Sequence, residues 1–425
     1  MLRVVAETLR HRGTQGWLVG GTVRDRELGR FAPDLDVVVA DDPGQVAAEV
    51  AARLRRPWFP LSKHFQAYRV LGDEGHVDVA SLRGGGLIAD LGFRDFTVNA
   101  MAIPVEGGHV VDPFGGMAHL QERLLAAVSH RVFEDDPLRL MRAARFCHVL
   151  DFRLDPRLEA LLHGQVDALV RTAPERVLTE MVLTLGAGSA AAAVGLWREL
   201  GLLRVVLPEL PDSSVESASA TLEELDRILA DLQGWFPGRS ASLEARLARP
   251  ADGALPRPVA LRLAGLLRLV TPERCESVGR RLRLPTSVAV LARKAADQRV
   301  RVWPSGPAAS LPERAVVSFL WEAAPWEPET IILGLAAGVA DDGDFVGEGR
   351  ALAQRLMERW ACRSEGMPRP PIGGDDLMRE LGLQPGPLLG RVAKEVQLAW
   401  EAGEVKDARD ALEAGRRVLL TAGRA

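Results

Sequence analysis

Cysteine is scarce in this chain. Its 425 residues hold only Cys147, Cys275 and Cys362, too few and too far apart for a disulfide framework or a zinc cluster. Long hydrophobic runs are missing too: no stretch of about 18 apolar residues marks a membrane span. Met1 to Arg12 carries arginines and an acid where an export signal needs an apolar core, so a cytoplasmic protein with no membrane partner is expected. Histidine is confined to the N-terminal part, all eight lying at or before His163. Lysine occurs only at Lys63, Lys294, Lys394 and Lys406, so arginine supplies nearly all the positive charge, and the formal net charge is −4. That balance argues against an indiscriminate nucleic-acid binder; a polyanion would have to be held by local arginine clusters. Candidates are Arg274–Arg283 and Arg293–Arg301, although both also suit solvated helix faces. The length allows several domains with sizeable cores.

What is present is concentrated near the start. Trp17, Leu18 and Val19 form a short apolar run ending at Gly20-Gly21, followed by Thr22-Val23-Arg24-Asp25, the pattern of a buried strand, a tight turn and a helix. Glycines at such a turn let the backbone approach a phosphate, and the N–H groups that open the next helix favour an anion. A second strand is predicted over Asp34-Leu35-Asp36-Val37-Val38-Val39, on which alternation projects Asp34 and Asp36 from one side. Two carboxylates so placed can bind Mg²⁺ for phosphoryl transfer. Asp78 lies on another predicted strand, His76–Ala80, as a third acid. It also suits a plain surface position.

The combined pattern resembles motif A of the class II tRNA nucleotidyltransferase and bacterial poly(A) polymerase family, GG-x-VRD followed by D-x-D. The rest of the chain agrees in order. Arg94-Asp95-Phe96-Thr97-Val98-Asn99-Ala100-Met101-Ala102 resembles motif B, RRDFT-x-NAMA. Asp112-Pro113-Phe114-Gly115-Gly116 resembles the hinge that follows, and Asp135-Asp136-Pro137-Leu138-Arg139 the ED-x-x-R helix. Glu175-Arg176 with Glu180 is similar to motif E, and Gly374–Met378 with Leu381–Pro387 to a C-terminal segment of bacterial members. The resemblance implies template-independent addition of C, with or without the terminal A, to tRNA 3′ ends from CTP, or from CTP and ATP, with Mg²⁺ as cofactor. It implies catalysis by Asp34, Asp36 and Asp78, metal binding by Asp34 and Asp36, and nucleotide contacts from Gly20, Gly21, Arg24, Arg94, Asp95, Asn99, Asp136, Arg139, Arg142 and Arg145. Asp136 and Arg139 would read the base edge: a carboxylate accepts from the exocyclic amine of C and A, and arginine donates to a ring acceptor. Locally, Pro137 and Asp136 also fit the first position and N-cap of a helix, and Arg139, Arg142 and Arg145 a basic helix face. Nothing in the sequence marks a protein partner.

The sequence departs from the family pattern in places. Phe93 replaces the first arginine of motif B, and Asp135 replaces a glutamate. The segment from Ser81 to Phe93 is short where full CCA-adding members carry a longer loop that swings specificity from C to A, so a CC-adding specialist is one reading. Poly(A) polymerase is another, though the chain ends without the usual basic extension. A non-catalytic RNA-binding relative would have lost Asp34 or Asp36, and both are present.

The expected architecture is an α+β nucleotidyltransferase head with a mixed sheet over residues 1–129, then an all-α neck (130–190), body (191–340) and tail (341–425). Helical periodicity covers Val182–Leu207, Thr221–Leu232, Pro258–Val270 and Ala315–Ala324, with loops at Pro211–Ser219, Phe236–Ser242, Pro304–Pro312 and Arg363–Gly374. Within the body, Leu261–Leu269 resembles a helix that in many relatives ends LLHD, part of an HD phosphohydrolase metal site. Here Arg268-Leu269 stands in place of His-Asp, and no histidine follows. A histidine-dependent metal site is not expected there, and the body reads as an RNA-gripping scaffold.

Overall fold

Short alternating apolar segments build the sheet in the computed structural model, which describes residues 1–62, 66–251, 255–301, 311–364, 366 and 369–422. Strands β1 (Gly16–Val19), β2 (Leu35–Val39), β3 (Trp58–Ser62), β4 (Ala67–Leu71), β5 (His76–Ser81) and β6 (Ala102–Pro104) form one sheet in the order β3-β4-β5-β2-β1-β6. Only β2 and β5 run parallel, with Asp36 beside Asp78; the other pairs are antiparallel. The sheet is therefore mixed. Helix α1 (Leu2–Arg12) packs on α3 (Pro43–Leu54), which lies on β4 and β5. Val19, Val38, Leu91, Ala100 and Ala102 form a separate buried cluster on the face that Val38 shares with Asp36. Asp36 thus sits at the edge of an apolar floor.

Helix α2 (Gly21–Glu27) follows β1 and α4 (Leu87–Gly92) follows β5. The head continues through α5 (Gly116–Gln121) to the short α6 (Val132–Asp135), then α7 (Arg139–Leu150), α8 (Pro156–Gln165) and α9 (Pro174–Leu185). From α9 onward every described regular element is a helix. Their contacts divide the chain into two compact units, one of residues 1–180 with 196–206, the other of residues 181–195 with 207–425.

Three expectations about local structure change. Asp136 is not a helix N-cap: α7 begins at Arg139, and Asp136 has extended backbone between α6 and α7. Its carboxylate still accepts a local N–H, that of Leu138 at 3.2 Å, an Asx-type turn that competes with helix initiation. The loop expected at Pro211–Ser219 is helix, because Asp212–Ala230 runs unbroken and buries Val215 and Ala218 on the same face as Leu222; packing outweighs the low helix propensity of its serines. The run Val182–Leu207 is instead three pieces, interrupted near Gly186–Ser189 and at Gly201 with φ +71°. The expected loop at Pro304–Pro312 lies largely outside the described residues.

Candidate active site

Gly20 has φ +67°, and a Cβ there would stand 2.9 Å from Arg94 Nη1 and 3.4 Å from Asp36 Oδ2. Both the backbone angle and the close approach therefore require glycine. Thr22 fastens this turn to β2, its hydroxyl accepting the Asp36 N–H at 2.8 Å and donating to the Asp34 carbonyl at 3.3 Å. The acids are in this way fixed beside the glycine turn.

The three acids have different surroundings. Asp34, just ahead of β2 and half exposed, accepts from His76 Nδ1 at 2.7 Å and from the His76 backbone N–H at 3.1 Å. Asp78 is clamped by Arg69 through two bonds of 2.8 Å. Asp36 carries no such clamp. Burial and the neighbouring Asp78 push its pKa up, against the pull of Arg94 and His76. A carboxylate crowded by a second acid is relieved by a cation, and Mg²⁺ is commonly held by one or two carboxylates with substrate phosphates and water completing its shell. Asp34 and Asp36 fit that donor set. Among the described residues no three His, Cys, Asp or Glu side chains form a ready-made cage.

A cleft of about 420 Å³ opens over this point, lined by Gly20, Gly21, three aspartates (Asp36, Asp95 and Asp136), Asn99, and the arginines at 24, 83, 94, 139, 142, 145 and 176, with Phe93, Leu138 and Phe146. All the candidate nucleotide-contact residues line it, as does Asp36; Asp34 and Asp78 do not.

A hydrogen-bond chain joins motifs A and B to the helices beyond. Arg24 forks onto Asp25 at 2.9 and 3.0 Å and donates to Asn99 Oδ1 at 2.7 Å. Asn99 in turn donates to Asp95 at 2.9 Å, and Asp95 receives Arg142 at 2.8 and 2.6 Å. Buried Glu180 takes Arg145 at 2.6 Å and lies 3.6 Å from Arg142. Burial alone would raise the Asp95 carboxyl, yet Arg142, Asn99 and the Phe96 N–H together hold it below the usual range. The guanidiniums of Arg24, Arg142 and Arg145 all pack over the Phe146 ring, at 5.0, 5.3 and 4.4 Å from its centre. Arg142 and Arg145 are therefore anchored in a network, not spread over a solvated face.

Asp136 and Arg139 both line the cleft; the Arg139 N–H donates to the Asp136 carbonyl at 3.0 Å, but their side chains turn to other partners. Arg176 grips Asp136 at 3.2 and 2.7 Å, while Arg139 donates to the Phe93 carbonyl at 2.7 Å. Burial lowers the Arg139 pKa. Sequence reasoning missed Thr22, Phe146 and Asp90. Asp90, almost wholly buried, takes Arg83 at 2.7 Å and Arg94 at 3.1 Å; its i,i+4 spacing from Arg94 was the available signal.

In the other unit, the candidate cluster Arg274–Arg283 contributes Arg280 and Arg283 to a groove of about 470 Å³ that Arg293 also lines. The side chains of Arg299 and Arg301 lie outside the described residues. Arg268 is buried, its guanidinium bonded to Thr221, Ser217 and Asp341 at 2.6–3.1 Å.

A mixed-sheet head with a glycine turn, paired acids and an arginine-lined cleft defines a nucleotidyltransferase. A model of the poly A polymerase head domain matches residues 16–88 and 85–126, and one of a probable RNA- and SrmB-binding site of polymerase A matches 151–213. The CC-adding tRNA nucleotidyltransferase of Geobacter sulfurreducens is 31% identical over 411 residues, 96% of this chain and 93% of its own. The A-adding tRNA nucleotidyltransferase of Deinococcus radiodurans is also 31% identical, over 93% of each chain. A solved CCA-adding enzyme with CTP superposes with a TM-score of 0.73 at 22% identity, covering 98% of this chain and 94% of that one, which shows a shared fold. The chain belongs to the class II tRNA nucleotidyltransferase family.

Proposed function

We propose that the protein adds cytidines to the 3′ end of tRNA from CTP, without a template and with release of pyrophosphate, and adds the terminal A poorly or not at all. The observation that carries the reading is the cleft itself, in which one unclamped carboxylate and a surplus of guanidiniums over acids face a space of nucleotide size. Arginines in that surplus suit a triphosphate. In this reading Asp34 and Asp36 hold Mg²⁺, which when bound activates the primer hydroxyl and neutralises the leaving pyrophosphate. Asp78 assists from the adjacent strand, with Arg69 fixing its direction. Gly20 and Gly21 admit the phosphates, Arg24 and Asn99 orient the sugar side, and Arg142 and Arg145 hold the floor of the pocket through Asp95 and Glu180. Asp136 accepts the base amine and Arg139 donates to a ring acceptor. U and G present a carbonyl oxygen at the amine position, an acceptor set against the carboxylate.

The preference for C rests on the segment between Ser81 and Phe93. Its opening residues, ahead of α4, form a strap folded back onto that helix: Arg83 donates to Asp90, and a Cβ on Gly84, which has φ +66°, would come within 2.9 Å of Ala89 and Phe93. A strap pinned this way disfavours the movement needed to enlarge a pyrimidine pocket. The relatives named for CC addition support the same choice, while the A-adding relative favours A addition as the second reading. The working place of such an enzyme is the cytoplasm. The test is incubation of the protein with tRNA lacking its 3′ CCA, Mg²⁺, and CTP or ATP singly and together, with product lengths resolved at single nucleotides. Two added residues with CTP, and no third when ATP is present, is the expected result; efficient addition of all three overturns the CC preference.

A further inference from the structure

The cleft is one guanidinium short by motif and whole by structure. Motif B carries Phe93 where the family pattern has its first arginine, yet Arg83, ten residues earlier on the strap, lines the same cleft and stacks over that ring at 5.4 Å. Its position is fixed by Asp90, which is only 1% exposed. One carboxylate oxygen takes Arg83 Nε at 2.7 Å and the other takes Arg94 Nη2 at 3.1 Å. Burial alone would raise the Asp90 carboxyl, but the two arginines hold it below the usual range, so it stays an anion that binds both. Arg94 already stands directly over the Gly20 turn and near Asp36. A carboxylate shared between two guanidiniums sets them side by side, and that is how an oxyanion with several oxygens is gripped. Phe93 is half exposed, and its ring limits the positions open to Arg83 through a cation–π contact.

We infer that Arg83 is a substrate-binding residue for the triphosphate of the incoming nucleotide, standing in from the strap for the arginine that Phe93 displaces. The inference rests on the proposed CTP-dependent reaction. It makes two statements that a merely structural Arg83 does not. The residue acts on the phosphates and not on the base, and its loss is repaired by restoring an arginine at position 93.

The experiment is steady-state C addition to tRNA lacking CCA, with inhibition by inorganic pyrophosphate and by CMP measured on the same proteins. Arg83→Ala is expected to raise the KM for CTP and the inhibition constant for pyrophosphate about tenfold, with kcat and the CMP constant changed less than about threefold. Adding Phe93→Arg to that variant should return the KM for CTP to within about threefold of the unsubstituted enzyme. Should Arg83→Ala fold poorly, Arg83→Gln keeps a donor for Asp90 while removing the charge, and the same shifts are expected of it. An unchanged KM for CTP, an equal rise in the CMP constant, or a raised KM that Phe93→Arg leaves uncorrected overturns the inference. Failure of the unsubstituted protein to add any nucleotide to tRNA is a separate result, which overturns the reaction and not the role of Arg83.

Discussion

In the first unit, Asp95 and Glu180 each satisfy arginines that still line an open cleft, whereas in the second, Arg268 is enclosed by its own acceptors. Arg142 reaches Asp95 and Arg145 reaches Glu180, yet seven arginines share the cleft lining with three aspartates. Arg268 is 3% exposed and meets Thr221, Ser217 and both oxygens of Asp341. Buried charge is tolerated in either place only when hydrogen-bonded, but the two arrangements leave different remainders. The cleft keeps a positive excess that a polyphosphate can neutralise. The Arg268 network keeps none, and in this stretch, which resembles an HD metal site, a guanidinium joins groups that no histidine is present to bring onto a metal. One network leaves its arginines on the wall of an open cleft, and the other encloses its arginine among helices.

The largest expected effect comes from Asp36. Asp36→Asn should lower turnover by at least about a thousandfold, the loss expected for a central electrostatic element of phosphoryl transfer. Because the folded protein raises this pKa, the charged form costs stability at neutral pH and that cost vanishes as pH falls through the raised value. The variant should therefore melt no lower than the parent in the absence of metal. Near-normal turnover in the variant breaks the assignment of the metal site.

Asp95 tests whether the network is structural as well as functional. Asp95→Asn leaves Arg142 without its anion and should cost roughly 3 kcal/mol, the order found when one partner of a buried pair is removed. Here the folded pKa is depressed, so the contribution is present above the unfolded carboxylate value of about 4 and lost as pH falls below it toward the folded value. Unfolding of parent and variant should accordingly converge in acid. A difference that stays constant down to the acid limit would show that the charge of Asp95 is not what matters.

The body variant sharpens the contrast. Arg268→Ala should destabilise by about 2–3 kcal/mol, mostly from the packing lost around a buried side chain, since the Thr221 hydroxyl still donates to the Ser217 carbonyl, the Ser217 hydroxyl still donates to Asp341, and Asp341 is half exposed and regains water. CTP turnover by the protein that remains folded should change less than about twofold. A selective loss of CTP turnover with normal melting would mean that Arg268 belongs to the reaction.

Legibility in the sequence followed distance along the chain. The glycine turn and Asp36 are neighbours, and strand alternation puts Asp36 on the face of Val38, whereas Asp34 stands just ahead of β2 and does not line the cleft. Arg94, Asp95 and Asn99 are legible as a motif, but their partners are not: Asn99 meets Arg24 across 75 positions, and Asp95 meets Arg142 across 47. Thr22 occupies an unspecified position of its motif, yet it ties Asp34 and Asp36 to the turn. Phe146 looks like one more core residue on a periodic helix until three arginines are seen around its ring. The misread start of α7 has the same origin. A Pro after an Asp is a strong helix-start signal, but Arg176, forty positions away, grips Asp136.

That grip makes the smallest effect the most discriminating one. With Asp136 braced by Arg176 and by the Leu138 N–H, its carboxylate has a fixed direction in the cleft, which is what rejection of a wrong base edge requires. Asp136→Ala removes the acceptor for the exocyclic amine and also the penalty that U and G incur by setting a carbonyl oxygen against that carboxylate. C addition should slow, and discrimination of CTP against UTP and GTP should fall about tenfold, equivalent to roughly 1.4 kcal/mol of lost selectivity. Arg176→Ala should produce the same change at smaller size, because the carboxylate remains but is no longer held. Competition assays with paired nucleotides report the ratio directly, independent of how much protein is folded. If both variants melt earlier while the CTP preference stays intact, Asp136 only anchors the turn between α6 and α7, and the base is read elsewhere in the cleft.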